Sequence, residues 1–238
     1  MRVRSTLCFL AATAVVTSAA LAEYDVSPKI EGGVIKTNAF FDAEEVEVGN
    51  VAVFGYNFGE EVLLPPNELP DPGFHPLPGS GFAEGSQIGI QTLSVLQYWN
   101  GVGPISFAPA ASGTTLSYAF GSSAASVDGT TIPANDVLVG PVDEFGEFDD
   151  HLDTEITLAA ASGIYMVAAR LNTTTPGITP SDSIFILFNY GLEEDVLEDA
   201  VVFARDTFAP GTVIPVVPEP AALGLLAAAL PMALRRRR

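Results

Sequence analysis

The chain has 238 residues, 29 acidic and 10 basic side chains, a formal net charge of −19, 48% hydrophobic residues and one cysteine. The hydrophobic content excludes a mostly disordered chain, the single cysteine excludes a disulfide-built mini-domain, and the scarcity of Lys and Arg excludes nucleic acid as a partner, since phosphate contacts need clustered cations. Six of the ten basic residues sit in the first four or last four positions, and residues 23–217 hold 28 acidic against 4 basic groups, a net of −24.

At the N-terminus, Arg2 and Arg4 precede an apolar run from Leu7 to Val16, and Ala20 and Ala22 form a small-x-small cleavage site. This is the pattern of a secretory signal peptide over residues 1–22, removed by signal peptidase. The run is shorter than the ~20 residues a membrane span requires. Cys8 lies inside it, so the chain after cleavage is cysteine-free; thiol catalysis, disulfides and thiolate metal sites are excluded together.

Residues 23–208 read as one acidic extracytoplasmic domain, mainly β and sandwich-like. Short β-rich runs recur between turn signals at residues 34–41, 45–58, 86–96, 114–120, 154–158, 164–172 and 183–190. Ile184 to Phe188 is continuously apolar, as in a strand buried on both faces, and Gly49-Asn50 interrupts its run as a turn or bulge. Six prolines from Pro65 to Pro78 predict a long loop. From Glu193 to Arg205 the apolar residues Val196, Leu197, Ala200, Val201 and Ala204 recur at helical spacing, with acids at the start and Arg205 at the end. Residues 209–216 read as a linker.

The last 22 residues, 217–238, carry Pro218-Glu219-Pro220, a 14-residue apolar segment from Ala221 to Leu234, and Arg235, Arg236, Arg237 and Arg238. As a helix the apolar segment is about 21 Å long, and it crosses a ~30 Å hydrocarbon core only with help from snorkelling arginines and flanking residues. The arginines would stay on the cytoplasmic side. Motif, apolar helix and Arg cluster closely resemble the PEP-CTERM sorting signal of bacterial exported proteins. The resemblance implies a transient inner-membrane anchor, cleavage near Pro-Glu-Pro by an exosortase, and delivery to the cell surface or the medium. It implies recognition through Pro218, Glu219 and Pro220, with Arg235 to Arg238 as the stop.

Candidate chemistry in the body is sparse. His151 lies in the densest acidic stretch, from Asp143 to Glu155. If the strand there is regular, His151, Asp153 and Glu155 share one face by the two-residue period, and Asp149 extends the row. Carboxylates with one imidazole suit a divalent cation, Zn2+ or Ca2+; the plain alternative is a solvated acidic loop with no cofactor. The other histidine, His75, falls in the proline-rich loop. Gly-x-Ser-x-Gly, a phosphate loop and a dinucleotide fingerprint are absent from the sequence, so the expectation is a protein that is not an enzyme. The only tryptophan, Trp99, is either core or a platform for stacking on a sugar.

The order of Asp71-Pro-Gly-Phe, Leu77-Pro-Gly, Trp99-Asn-Gly, His151, Gly163-Ile-Tyr and Ser181-Asp-Ser-Ile-Phe-Ile-Leu-Phe-Asn189 resembles PEP-CTERM surface proteins of planctomycete and cyanobacterial type. Some of these are described as repressed by the zinc-uptake regulator. Such proteins often carry His-x-His before the Gly-x-Tyr strand, where this chain has Asp149-Asp150-His151. The expected function is an exported surface or extracellular-matrix protein sorted by exosortase. The alternatives are a periplasmic or surface zinc-handling protein centred on His151, and a carbohydrate-binding protein contacting extracellular polysaccharide.

Overall fold

The structure, a computed structural model, describes residues 24–59 and 63–214. The signal peptide with Ala20 and Ala22, the Pro-Glu-Pro motif, the sorting helix and the Arg cluster lie outside the described residues. The body is mainly β. Its strands are β1 Asp25–Glu31, β2 Val34–Phe41, β3 Val46–Val48, β4 Val53–Asn57, β5 Glu68–Leu69, β6 Gly73–Phe74, β7 Ile88–Thr92 and β8 Gln97–Trp99. They continue with β9 Ala108–Pro109, β10 Thr115–Phe120, β11 Ser123–Asp128, β12 Val137–Val139, β13 Asp150–His151, β14 Asp153–Ile156, β15 Gly163–Thr173 and β16 Ile184–Tyr190. One helix, α1 Glu194–Phe208, follows.

Among the described residues the strands form three sheets. One runs β13-β6-β1-β2-β3, a second β11-β10-β14-β5, and a third β12-β7-β15-β16-β4, with β8 beside β15 and β9 beside β8. They share one core, to which Val26 and Phe41 contribute from the first sheet, Leu116 and Ile156 from the second, and Ile88 and Phe188 from the third.

Two local features explain the first sheet. Gly32 and Gly33 link β1 to β2 with φ of +59° and +79°. A two-residue hairpin turn matched to strand twist needs positive φ at both positions, which glycine adopts without strain. Pro28 is tolerated inside β1 because the nitrogen at this parity faces away from β2. There β6 reaches only Val26, and Ile30 instead donates to Ser80 O at 2.7 Å. The pairing of β1 was not legible in the run pattern for this reason: proline marks down a strand unless its missing donor faces no partner.

The predicted runs at 34–41, 114–120, 164–172 and 183–190 appear as β2, β10, β15 and β16 with ends shifted by at most one residue. The 45–58 run divides at Asn50, whose φ is +61°. Strand β3 stays beside β2, whereas β4 leaves for the third sheet and pairs in parallel with β16. The proline-rich stretch is not wholly a loop, because it contains β5 and β6.

Helix α1 buries Leu197, Ala200, Val201 and Ala204 against Val53, Trp99, Ile164, Met166 and Leu187. The close approach is set by Gly55 in β4, where a Cβ would lie 2.8 Å from Val201 Cγ2. Glu194 and Asp195 in the first turn and Arg205 in the last complement the helix dipole. Leu197→Ala is expected to cost about 2–5 kcal/mol, read from urea melts; a cost near zero would show that the helix does not dock through this face. After the helix, Asn50 Nδ2 donates to Gly211 O at 3.1 Å and Val213 N donates to Asn50 O at 2.9 Å, so residues 209–214 begin along the body. Among the described residues no helix is long and apolar enough to cross a membrane.

Candidate metal centre

The site forms on the outer face of the first sheet. Residues Tyr24, Val26 and Ile30 of the first strand region point to the core, so Asp25 points the other way. Register continues the row: Asp25 is opposite Phe40 on β2, and His151 on β13 is opposite Gly73 on β6. Strand β6 lies between β1 and β13. Asp25 and His151 therefore stand two strands apart, and they approach because Gly73 between them has no side chain. A Cβ there would lie 1.9 Å from Asp25 Oδ1 and 2.8 Å from His151 Cε1.

The surrounding segments are pinned by backbone bonds. His75 N donates to Val26 O at 3.0 Å, and Leu152 N donates to Pro72 O at 3.2 Å. The Asp71 carboxylate, itself buried, accepts from Gly73 N at 3.1 Å, and Thr154 Oγ1 donates to Asp71 O. His75 rests edge-on against Phe40, with ring centroids 4.8 Å apart. A cavity of about 310 Å3 opens among Tyr24, Asp25, Phe40, Asp42, Ala43 and His151.

Two compact groups of metal-ligating side chains result, each with ligand atoms within 4.8 Å of one another: Asp25, Asp42, His75 and Asp149, and Asp25, Asp71 and His151. His75 Nδ1 is 3.2 Å from Asp42 Oδ1 and 3.9 Å from Asp25 Oδ2. His151 Nε2 is 3.4 Å from Asp149 Oδ1, and its Nδ1 is 3.5 Å from Asp71 Oδ1 and 2.9 Å from Pro70 O. The side chain of Asp25 is 6% exposed, and its Oδ2 has no hydrogen-bond partner.

Electrostatics follow from this crowding. Burial pushes the Asp25 carboxyl up to about 7; Asp42, Asp149 and Asp71 push the same way, and His151 opposes them. The contact with Asp71 raises His151 to about 9 against the effect of its own burial, with Asp25 adding to the rise. A buried carboxyl driven toward its neutral form beside an imidazole held in its charged form is the kind of perturbed pair that gathers at functional sites.

Of the four residues singled out from the sequence, Asp149 and His151 meet here. Asp153 and Glu155 belong to neither group. The exposed alternation is real, since His151, Asp153 and Glu155 are exposed while Leu152, Thr154 and Ile156 are buried or nearly so. But the chain changes sheets at Leu152: β13 pairs with β6, whereas β14 pairs with β10 and β5. Asp153 and Glu155 line a separate cleft with Glu68 and Ser117, and Glu155 Oε1 accepts from Asn67 Nδ2 at 3.3 Å. Asp25, Asp42, Asp71 and His75 were not singled out. The one signal for them was that His75 is the only other histidine and stands four residues from Asp71.

Trp99 is 7% exposed and packs under α1, so its ring offers no open face to a sugar. No family model, curated protein or solved structure matches this chain.

Proposed function

We propose that the protein is an exported bacterial surface or extracellular-matrix protein, sorted by exosortase, whose acidic sandwich-like body is non-catalytic and holds divalent cations around Asp25. The observation that supports the cation reading is the Asp25 carboxylate: buried, with one oxygen unpartnered, among three more carboxylates and two imidazoles. Gathering these groups costs free energy in the cation-free protein, and a bound cation offsets it. The imidazole in each group favours a zinc-class ion over calcium, which supports the zinc-handling reading.

The address reading rests on the residues at the two ends of the chain. Signal peptidase and exosortase are the processing partners, and the inner membrane is a transient one. In the native host the protein is expected to lose its Arg-terminated tail only where exosortase is present; intact mass of the isolated protein reads this. Persistence of the Arg-terminated form in exosortase-containing cells would end the sorting reading. For the cation, titration calorimetry of the chelator-stripped protein with Zn2+ and Ca2+ should show saturable binding, tighter for Zn2+. Heat of dilution alone for both ions would end the cation reading.

A further inference from the structure

We infer that the centre takes two divalent cations, with the Asp25 carboxylate bridging them. This rests on the cation reading and specifies its stoichiometry. Donor atoms on one four-coordinate ion, each at about 2.0–2.2 Å, lie no more than roughly 4.4 Å apart. The six residues fall into two groups whose ligand atoms lie within 4.8 Å of one another, close to this scale before an ion draws them in, and only Asp25 belongs to both. Each group holds one imidazole and at least two carboxylates, so each is a ligand set by itself.

The orientation of Asp25 fits a bridge. Its Oδ2 faces His75, 3.9 Å from Nδ1. Its Oδ1 faces the other way, over Gly73 toward His151, where a Cβ on Gly73 would meet both. Buried and lacking any hydrogen-bond partner, Oδ2 is a donor atom without a present role. On the His151 side, Nδ1 lies 3.5 Å from Asp71 Oδ1 and 2.9 Å from Pro70 O, and Nε2 faces Asp149 Oδ1 at 3.4 Å; a neutral ring keeps one of these nitrogens as a lone-pair donor to an ion.

Charge makes the same count. Asp25, Asp42, Asp71 and Asp149 carry four negative charges when ionised, and neutral imidazoles add none. One divalent cation leaves two charges uncompensated around the buried Asp25 and Asp71, whereas two cations neutralise the set. The His75 group supplies four protein ligands and is closed. The His151 group supplies three and leaves one position for water from the adjoining cavity.

The test uses the full chain loaded with Zn2+, passed through a desalting column and analysed for zinc per chain. The wild type is expected to hold two ions, His75→Gln and His151→Gln one each, and Asp25→Asn none. X-ray absorption at the zinc edge of the wild type should show zinc–zinc scattering at about 3.5–4 Å, a reading that does not depend on any variant folding. One ion per chain with no zinc–zinc scattering would overturn the bridge while leaving the cation reading standing. No retained zinc, with no saturable binding by calorimetry, would overturn both.

Discussion

Asp25→Asn is expected to raise the melting temperature of the cation-free protein at pH 8 and to abolish its stabilisation by Zn2+. Asp25 titrates at about 7 in the folded chain against 3.8 unfolded. Below pH 4 the group is protonated in both states and costs nothing. Between pH 4 and 7 the unfolded chain releases the proton first, so the folded state loses stability as pH rises. Above pH 7 the whole penalty is present, up to about 4 kcal/mol for a shift of this size. In a domain this large that corresponds to a gain on the order of 10 °C for the asparagine variant. His151 adds to the trend with a different window. Its pKa is raised from 6.5 to about 9, so its contribution is complete below pH 6.5 and is lost as pH climbs through 9. The side chain is 41% exposed, and solvent screening keeps that contribution smaller. Thermal melts in chelator from pH 4 to 9 check the pair of statements. The difference between wild type and Asp25→Asn should be near zero at pH 4 and widen to a plateau above pH 7. A variant less stable than wild type at pH 8 would refute the idea that Asp25 is held at a cost for its ligand.

Gly73→Ala carries the second large effect. The new methyl would stand 1.9 Å from Asp25 Oδ1, 2.7 Å from its Cγ and 2.8 Å from His151 Cε1, distances that force atoms to move. Overpacking of this kind costs about 1–3 kcal/mol. Here it also displaces Asp25, on which both ligand groups depend, from His151, so Zn2+ binding should fall at least tenfold. Gly49→Ala is the control, because its Cβ would meet only Asn38 Oδ1 at an ordinary 3.6 Å. Urea melts and zinc titrations on both variants give the comparison. Equal zinc affinity in Gly73→Ala and wild type would show that the contact across β6 is not part of the centre.

The strands most legible in the sequence were those whose side chains report burial directly. The run Ile184 to Phe188 is apolar throughout because β16 faces the main core on one side, through Ile184, Ile186 and Phe188, and α1 on the other, through Leu187. The helix was legible because its buried stripe repeats at helical spacing. The short strands β5, β6 and β13 carry two residues each, too few for any period. They form because neighbours hold them, and proline-rich composition hides β5 and β6. The centre was legible only where its members adjoin in sequence, at Asp149 and His151. Asp25, Asp42 and Asp71 are single acids in a chain with 29, and only the strand order β13-β6-β1 distinguishes them from the rest. The two-residue period carried the reading from His151 to Asp153 and Glu155, but a period holds only while a strand stays in one sheet.

The parallel pairing of β4 with β16 has a consequence for how the chain is handled before it is folded. Val53 lies beside Phe185, 132 positions later in the chain, and the helix that covers this pair comes later still. Pairings this remote form slowly, because the intervening chain must be ordered before they return any free energy. A chain emerging from the ribosome cannot complete its third sheet until nearly all of the body has been made. On the proposed reading of residues 1–22 as an export signal, that delay is an advantage: the polypeptide would stay loose enough to be threaded through a narrow conduit and would close on the far side.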